Sequence, residues 1–299
     1  MTTPEIHSLR EELTPAFVIA RPEAQTAPIV FCSPHSGSCY PAALLSRSRL
    51  DARSLRKSED CYVDELFACA HAHGAPLIAA RFPRAYLDVN REPYELDPEL
   101  ITGVMPGFAN TRSMRVAGGL GTIARIVADG EEIYRGRIDI ADALNRIELL
   151  YKPFHAALAQ LIEATRKTFG YAILIDCHSM PSTSINHNGA SRPDFVLGDR
   201  FGSSCDARVS QSLRATLEEV GFRVHLNRPY AGGFITEHYG RPHQRVHAVQ
   251  IEMNRGLYLD EQTLDRLPAF PSFAASIEHL VRRLTRELPS VLERRAAAE

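Results

Sequence analysis

The run Tyr171–Cys177 (YAILIDC) is apolar at five of seven positions and leads directly into His178 and Ser179. A short, nearly continuous apolar run bounded by polar residues suits a strand buried on both faces, as in sheets whose crossover helices cover both sides. The pattern recurs at 28–33 (PIVFCS), 77–81 (LIAAR), 85–89 (AYLDV), 194–198 (DFVLG), 222–227 (FRVHLN) and 246–254 (VHAVQIEMN). Segments of helical spacing separate them. One spans 61–73, with Ser58 or Asp60 as its cap and Gly74 as its stop. Another spans 139–169, with Pro153 as a break or kink. Two more cover 206–220 and 271–297, the last apolar through Phe273, Ile277, Leu280, Val281 and Leu284. Buried strands alternating with helices predict an α/β fold around a mostly parallel sheet. Residues 95–122, rich in Gly, Pro, Asn and Arg, read as a long irregular excursion of the functional kind. The 299 residues show no repeat and no linker, so a single domain over 1–299 is expected, with a short flexible N-terminus.

Charge and cysteine usage remove several function classes. A net charge of -2 with 34 Lys+Arg argues against a nucleic-acid binder and leaves room for a local basic pocket. None of the six cysteines forms a CxxC pair, which disfavours a thiolate zinc cluster, and Cys32 and Cys177 sit in apolar runs as small hydrophobes. The N-terminus shows no signal peptide, and no apolar run approaches the ~20 residues of a membrane span. A soluble protein of the reducing cytoplasm, with no nucleic-acid or membrane partner, is the expectation.

Four polar clusters follow the expected strands: Ser33–Gly37 (SPHSG), Asp88–Glu92 (DVNRE), Asp176–Ser179 (DCHS) and Glu252–Arg255 (EMNR). Ligands in open α/β sheets bind outside the carboxyl ends of the strands, so parallel strands would bring all four to one rim. His35 and His178 each project from a turn of small residues. Two neutral imidazoles and a carboxylate with an open fourth position make a common catalytic zinc site. The third ligand is sought in Lys57–Asp60, Asp60 first and Glu59 second. The plainer reading makes the two histidines separate, hydrogen-bonded rim residues. Glu252 interrupts an apolar strand, which fits either a salt bridge to an arginine or a general base. Asn90-Arg91 offers a fork for a substrate carboxylate, or an ordinary ion pair with Glu92.

Other motifs carry less. Gly119–Ala124 fits GxGxxA without a strand before it and reads as a loop. His71 and His73 are not four apart, so a solvated helix face is expected rather than a ligand pair. Cys177, flanked by residues of the opposite strand face, is misaligned with His178 as a thiol nucleophile.

SPHSG, SEDCYVDEL, YLDVNRE, GTIAR, ILIDCHSMP, FVLGD, YAGGFITEHYG and VQIEMNRGLY, in that order over about residues 28–262, resemble the N-formylglutamate amidohydrolase family. The family is similar in fold and site plan to the zinc carboxypeptidases and aspartoacylases. The resemblance implies a three-layer sandwich with a mixed, mostly parallel sheet, of zinc-dependent exopeptidase (phosphorylase/hydrolase-like) type, and one catalytic zinc, another divalent metal being the alternative. It implies His35, His178 and Asp60 as metal ligands, Asn90 and Arg91 as holders of a substrate carboxylate, and Glu252 as general base. The expected reaction turns N-formyl-L-glutamate into formate and L-glutamate. Arg125 or Arg241 would meet the second carboxylate, and the family's name implies histidine breakdown. The alternatives are a deacylase, carboxypeptidase or amidase for another N-acyl amino acid or peptide, and a non-catalytic dicarboxylate-binding protein. The run 182–193 (STSINHNGASRP) is expected to be a mobile loop.

Overall fold

The computed structural model describes residues 11–127, 130–184 and 192–293. Seven strands form the main sheet in the order β1-β3-β2-β6-β9-β7-β8: β1 (Phe17–Ala20), β2 (Ile29–Ser33), β3 (Leu77–Ala80), β6 (Ala172–Met180), β7 (Phe195–Gly198), β8 (Val224–Leu226) and β9 (Val246–Asn254). β4 (Ile101–Thr102) and β5 (Ile138–Asp139) make a separate parallel pair. In the main sheet β2, β6 and β9 run parallel, and β7 turns antiparallel to β9 while running parallel to β8. The fold is the expected α/β type with a mixed sheet. Residues 1–10, the span 185–191 of the expected mobile loop, and the end of the expected closing helix beyond 293 lie outside the described residues.

The chain resolves into two compact units. One comprises the chain through Val18, Pro34–Cys61 and Ala79–Ala157; the other comprises Ile19–Ser33, Tyr62–Ile78 and the chain from Leu158 onward. The second unit holds the centre of the sheet. Every residue of β2, β6, β7 and β9 is buried, which explains their largely apolar sequences. The helix Phe270–Glu293 contributes Phe273, whose ring stacks on Phe195 of β7 at 6.0 Å and on Tyr258 at 5.3 Å. The helix Ala207–Glu219 starts behind Asp206, whose carboxylate caps the Arg208 N–H.

The first unit is built around a buried cation. Arg146 donates to Asp142 at 2.8 and 3.1 Å, to the Tyr134 hydroxyl at 2.8 Å and to the Tyr86 carbonyl at 3.2 Å. Its guanidinium also lies 4.0 Å from the centroid of the Tyr86 ring. These bonds explain a failed expectation. Residues 85–89 are not a strand but a turn-rich, buried segment. Side chains and a loop carbonyl satisfy its backbone instead of a ladder. Tyr86 O accepts from Arg146, Val89 O lies 2.8 Å from His155 Nε2, and Asp88 N–H donates to Thr122 O at 2.8 Å.

Two expected helices also differ. The 139–169 segment begins at Ile140 behind an Asp139 cap, passes through a π-turn at Ile147–Tyr151 and resumes as Lys152–Phe169. Pro153 has no N–H for the Leu149 carbonyl and its ring would crowd that oxygen, so the wider turn forms just before it. The 61–73 segment is a short α-helix, Val63–Leu66, followed by a 3₁₀ stretch, Ala68–His73. Its first cap is Tyr62 in the left-handed region (φ 65°), rather than Ser58 or Asp60, and it ends at Gly74 (φ 80°) as expected. β1, β4 and β5 had no signal in the apolar pattern.

Arg146→Ala would leave the buried Asp142 with Arg47 as its ion-pair partner in place of two, and would strip the Tyr86 carbonyl and the Tyr134 hydroxyl of their donor. We expect a loss of about 3–5 kcal/mol of unfolding free energy, measured by urea denaturation; a loss below ~1 kcal/mol would contradict this account of the first unit's core.

Candidate metal and substrate site

On β6 the side chains alternate, so Asp176 and His178 share a face and Cys177 takes the other. The parallel register sets Asp176 beside Gln250 and His178 beside Glu252 of β9. The result is a row of four polar side chains on one face of fully buried strands, with Ile173, Ile175, Cys177, Val249, Ile251 and Met253 on the opposite face. His178 therefore lies within β6, not in a turn after it as the sequence suggested. Its Nε2 is 3.0 Å from Asp176 Oδ1, and Asp176 Oδ2 accepts from the Thr236 hydroxyl at 3.2 Å. Glu252 Oε1 accepts from Gln250 Nε2 at 2.8 Å. On the opposite face burial pushes the Cys177 thiol well above its usual range, and the Asp176 charge adds to this, so Cys177 is a poor nucleophile.

In the first unit, His35 sits in a turn that only glycine can close. A Cβ on Gly37 would lie 2.1 Å from the Phe82 carbonyl oxygen. His35 Nε2 is 2.7 Å from Asp88 Oδ1, and Nδ1 is 3.5 Å from Asp60 Oδ2. The Asp60 N–H donates to the His35 carbonyl at 3.0 Å, tying the two residues together through the backbone as well. Glu59, the second candidate, is engaged elsewhere. Its carboxylate accepts from Tyr40 Oη at 2.5 Å, from Arg56 Nε at 3.1 and 3.2 Å and from Cys61 Sγ at 3.2 Å.

Asp88 is a site residue whose role the sequence concealed. Burial alone would raise its carboxyl, but Arg91, His35 and Arg84 together hold it well below the usual carboxylate range. Arg84 Nε donates to Asp88 Oδ2 at 2.9 Å, and Arg91 Nε lies 3.6 Å from the same oxygen. The Asn90 N–H donates to Asp88 Oδ1 at 2.8 Å. Arg91 thus pairs with Asp88 rather than Glu92. Two backbone carbonyls orient its fork, Leu120 O at 2.9 Å and Asn90 O at 3.0 Å. Burial, then the nearby Arg84 and Arg115 charges, outweigh Asp88 and push the Arg91 guanidinium down to about 10.

The other two arginines are differently placed. Arg125 Nε donates to Asp97 at 2.8 Å, and its Nη2 lies 3.0 Å from Glu99. Arg241 is exposed and donates to the His238 carbonyl at 3.1 Å. Gly119–Ala124 follows a short helix, Met114–Ala117, and no strand. His71 is exposed, and its Nδ1 lies 2.6 Å from Ala68 O.

Among the described residues, one group of His, Cys, Asp and Glu side chains has the arrangement of a metal site. It comprises His35, Asp60 and His178, with one ligand atom of each within 4.8 Å of the others. They are 2%, 1% and 3% exposed. The donor set suits a borderline divalent cation such as zinc. His35 has Nε2 hydrogen-bonded to Asp88, which leaves Nδ1 for a ligand bond, while His178 Nε2 lies at ion-pair distance from Asp176 Oδ1 without hydrogen-bond geometry. A carboxylate bonded as Asp88 is to His35 is usual behind a metal-binding imidazole.

The family model for N-formylglutamate amidohydrolase matches residues 27–259. The chain belongs to this family. It is an amidohydrolase. The N-formylglutamate deformylase of Pseudomonas aeruginosa is 31% identical over 264 residues, covering 87% of this chain and 91% of that protein. The deformylase of Pseudomonas putida is 30% identical over 237 residues, covering 78% and 82%. A crystal structure of N-formylglutamate amidohydrolase from Ralstonia eutropha JMP134 superposes with a TM-score of 0.86 at 32% identity, covering 93% of this enzyme and 99% of that chain. A gene product of Agrobacterium tumefaciens shares the fold at 18% identity, with a TM-score of 0.66 over 93% of this enzyme and 96% of that chain.

Asp88→Ala removes the carboxylate behind His35. It should weaken metal binding by about ten- to a hundredfold, read by titrating zinc into chelator-stripped protein; unchanged affinity would remove Asp88 from the site.

Proposed function

We propose that this amidohydrolase cleaves the amide of an N-acyl acidic amino acid, N-formyl-L-glutamate before others, releasing formate and L-glutamate. The observation that carries the reading is the cluster of His35, Asp60 and His178 in a chain whose relatives are named N-formylglutamate deformylases. The metal in this reading is one zinc ion held by those three residues, with another divalent cation as the substitute. When bound, zinc supplies Lewis acidity that polarises a carbonyl and lowers the pKa of water.

The protein's own groups supply the rest. Glu252, buried next to His178 in the sheet register, takes the proton from the attacking water and later returns it to the leaving amine. Arg91 binds the α-carboxylate, its fork already oriented by the Leu120 and Asn90 carbonyls, so little side-chain freedom is lost on binding. Asn90 assists from the adjacent position. For the side-chain carboxylate the proposed contacts are Arg125, which would exchange the exposed Glu99 for substrate, and Arg241, which would give up the His238 carbonyl.

The family model spans residues of both compact units, which supports a single amidohydrolase domain as the working entity. No disulfide joins the six cysteines, and no helix among the described residues is long and apolar enough to cross a membrane. Both are compatible with action on a small molecule in the reducing cytoplasm, which is where we place it. Histidine breakdown is the pathway in which such a substrate would be consumed.

The test pairs metal content with product release. Purified protein should contain about one zinc per chain, release formate from N-formyl-L-glutamate, lose that activity on chelation and regain it with zinc. Metal without formate release would move the substrate to another N-acyl amino acid. Glu252→Gln should retain the metal and lose several orders of magnitude in kcat. Arg91→Ala should raise KM at least about tenfold; an unchanged KM would remove Arg91 from carboxylate binding.

A further inference from the structure

Gln250 is 4% exposed and lies two residues before Glu252 on the same face of β9. Its side chain is held at both ends. The Gly233 N–H donates to Gln250 Oε1 at 2.7 Å, and Gln250 Nε2 donates to Glu252 Oε1 at 2.8 Å. This amide has only one workable orientation. A backbone N–H can only donate and a carboxylate can only accept, so the oxygen faces Gly233 and the NH₂ faces Glu252.

Two glycines allow the Gly233 backbone to come so close. β7 sets Gly198 opposite Gln250. A Cβ on Gly198 would lie 2.6 Å from both Ala231 C and Gly232 N, so any larger residue would push the 231–233 segment off the sheet. Gly232 has φ +116°, a conformation strained for any residue with a side chain. Gly198, Gly232, Gly233 and Gln250 therefore form one continuous chain of contacts ending at the Glu252 carboxylate.

We propose that Gln250 is a positioning residue: it transmits the location of the 231–233 segment to Glu252 and fixes that carboxylate in the rotamer from which it takes a proton. The proposal rests on the reading of Glu252 as general base. A glutamate has three rotatable bonds, and a proton-transfer group must be within hydrogen-bond reach of its target. A single charge-assisted hydrogen bond from an anchored amide removes much of that freedom before substrate arrives.

The experiment is steady-state kinetics with N-formyl-L-glutamate, with metal content and Tm measured on each variant. Gln250→Met removes both bonds at similar volume. It should lower kcat by about ten- to a hundredfold with KM within about twofold and metal content unchanged. Gln250→Glu still accepts from Gly233 but cannot donate to Glu252, and should lose at least as much. Gly198→Ala should reproduce the kcat loss, and combined with Gln250→Met should add nothing, because both cut the same chain. Should Gly198→Ala not fold, the two Gln250 variants decide alone. A wild-type kcat in Gln250→Met, full activity in Gln250→Glu, or independent losses in the double variant would each overturn the proposal. Glu252→Gln separates the two readings. Wild-type rates there remove the base and the positioning claim together; a collapsed rate there with an intact Gln250→Met rate removes the positioning claim alone.

Discussion

In the parallel pairing of β6 with β9, Asp176 stands beside Gln250 and His178 beside Glu252. The remainder of the site depends on this register. Side chains alternate faces along a strand, so a slip of β9 by one residue would carry Gln250 and Glu252 to the face opposite Asp176 and His178. Apolar packing prevents the slip. Ile173, Ile175, Val249, Ile251 and Met253 are fully buried on the opposite face, where a polar row would be costly. The histidine and the glutamate are thus held in place by hydrocarbon that takes no part in the chemistry.

Polar groups in such a setting must be satisfied by partners, and the second unit shows how. Thr236 donates to Asp176 Oδ2, His178 lies at ion-pair distance from Asp176 Oδ1, and Gln250, anchored by Gly233, donates to Glu252. The motif YAGGFITEHYG owes its form to this task. Its glycines permit the close approach, and the helix Phe234–Tyr239 places Thr236 over Asp176. In the first unit the same problem is solved with charge. Asp88 is balanced by Arg84 and Arg91 while it holds His35.

Glu59 and Asp60 show how neighbouring acids acquire different tasks. Both are buried, and either suits a metal by residue type. Glu59 is committed to Tyr40, Arg56 and Cys61, whereas Asp60 is tied to the His35 carbonyl through its own N–H and turns its carboxylate toward the imidazole. The left-handed Tyr62 just beyond them sets the start of the following helix, so that Asp60 is released from a capping role.

The sequence by itself determined the central buried strands, the Gly74 stop, the α/β architecture, and the polar residues that interrupt apolar runs. These follow from period and local conformational preference, which one segment displays without its neighbours. It also singled out His35, His178 and Asp60, which the structure brings together, and Glu252 beside His178. Only the tertiary structure decided what satisfies each buried group. It made 85–89 a turn, because Arg146, His155 and Thr122 arrive from distant segments to serve its backbone. It gave Asp88 to His35, Arg125 to Asp97, and Gln250 to Glu252. The physical reason is that a hydrogen-bond partner is a matter of proximity after folding, and the residues concerned are separated in the chain or, as with Gln250, anchored by a loop that reaches them only across the sheet.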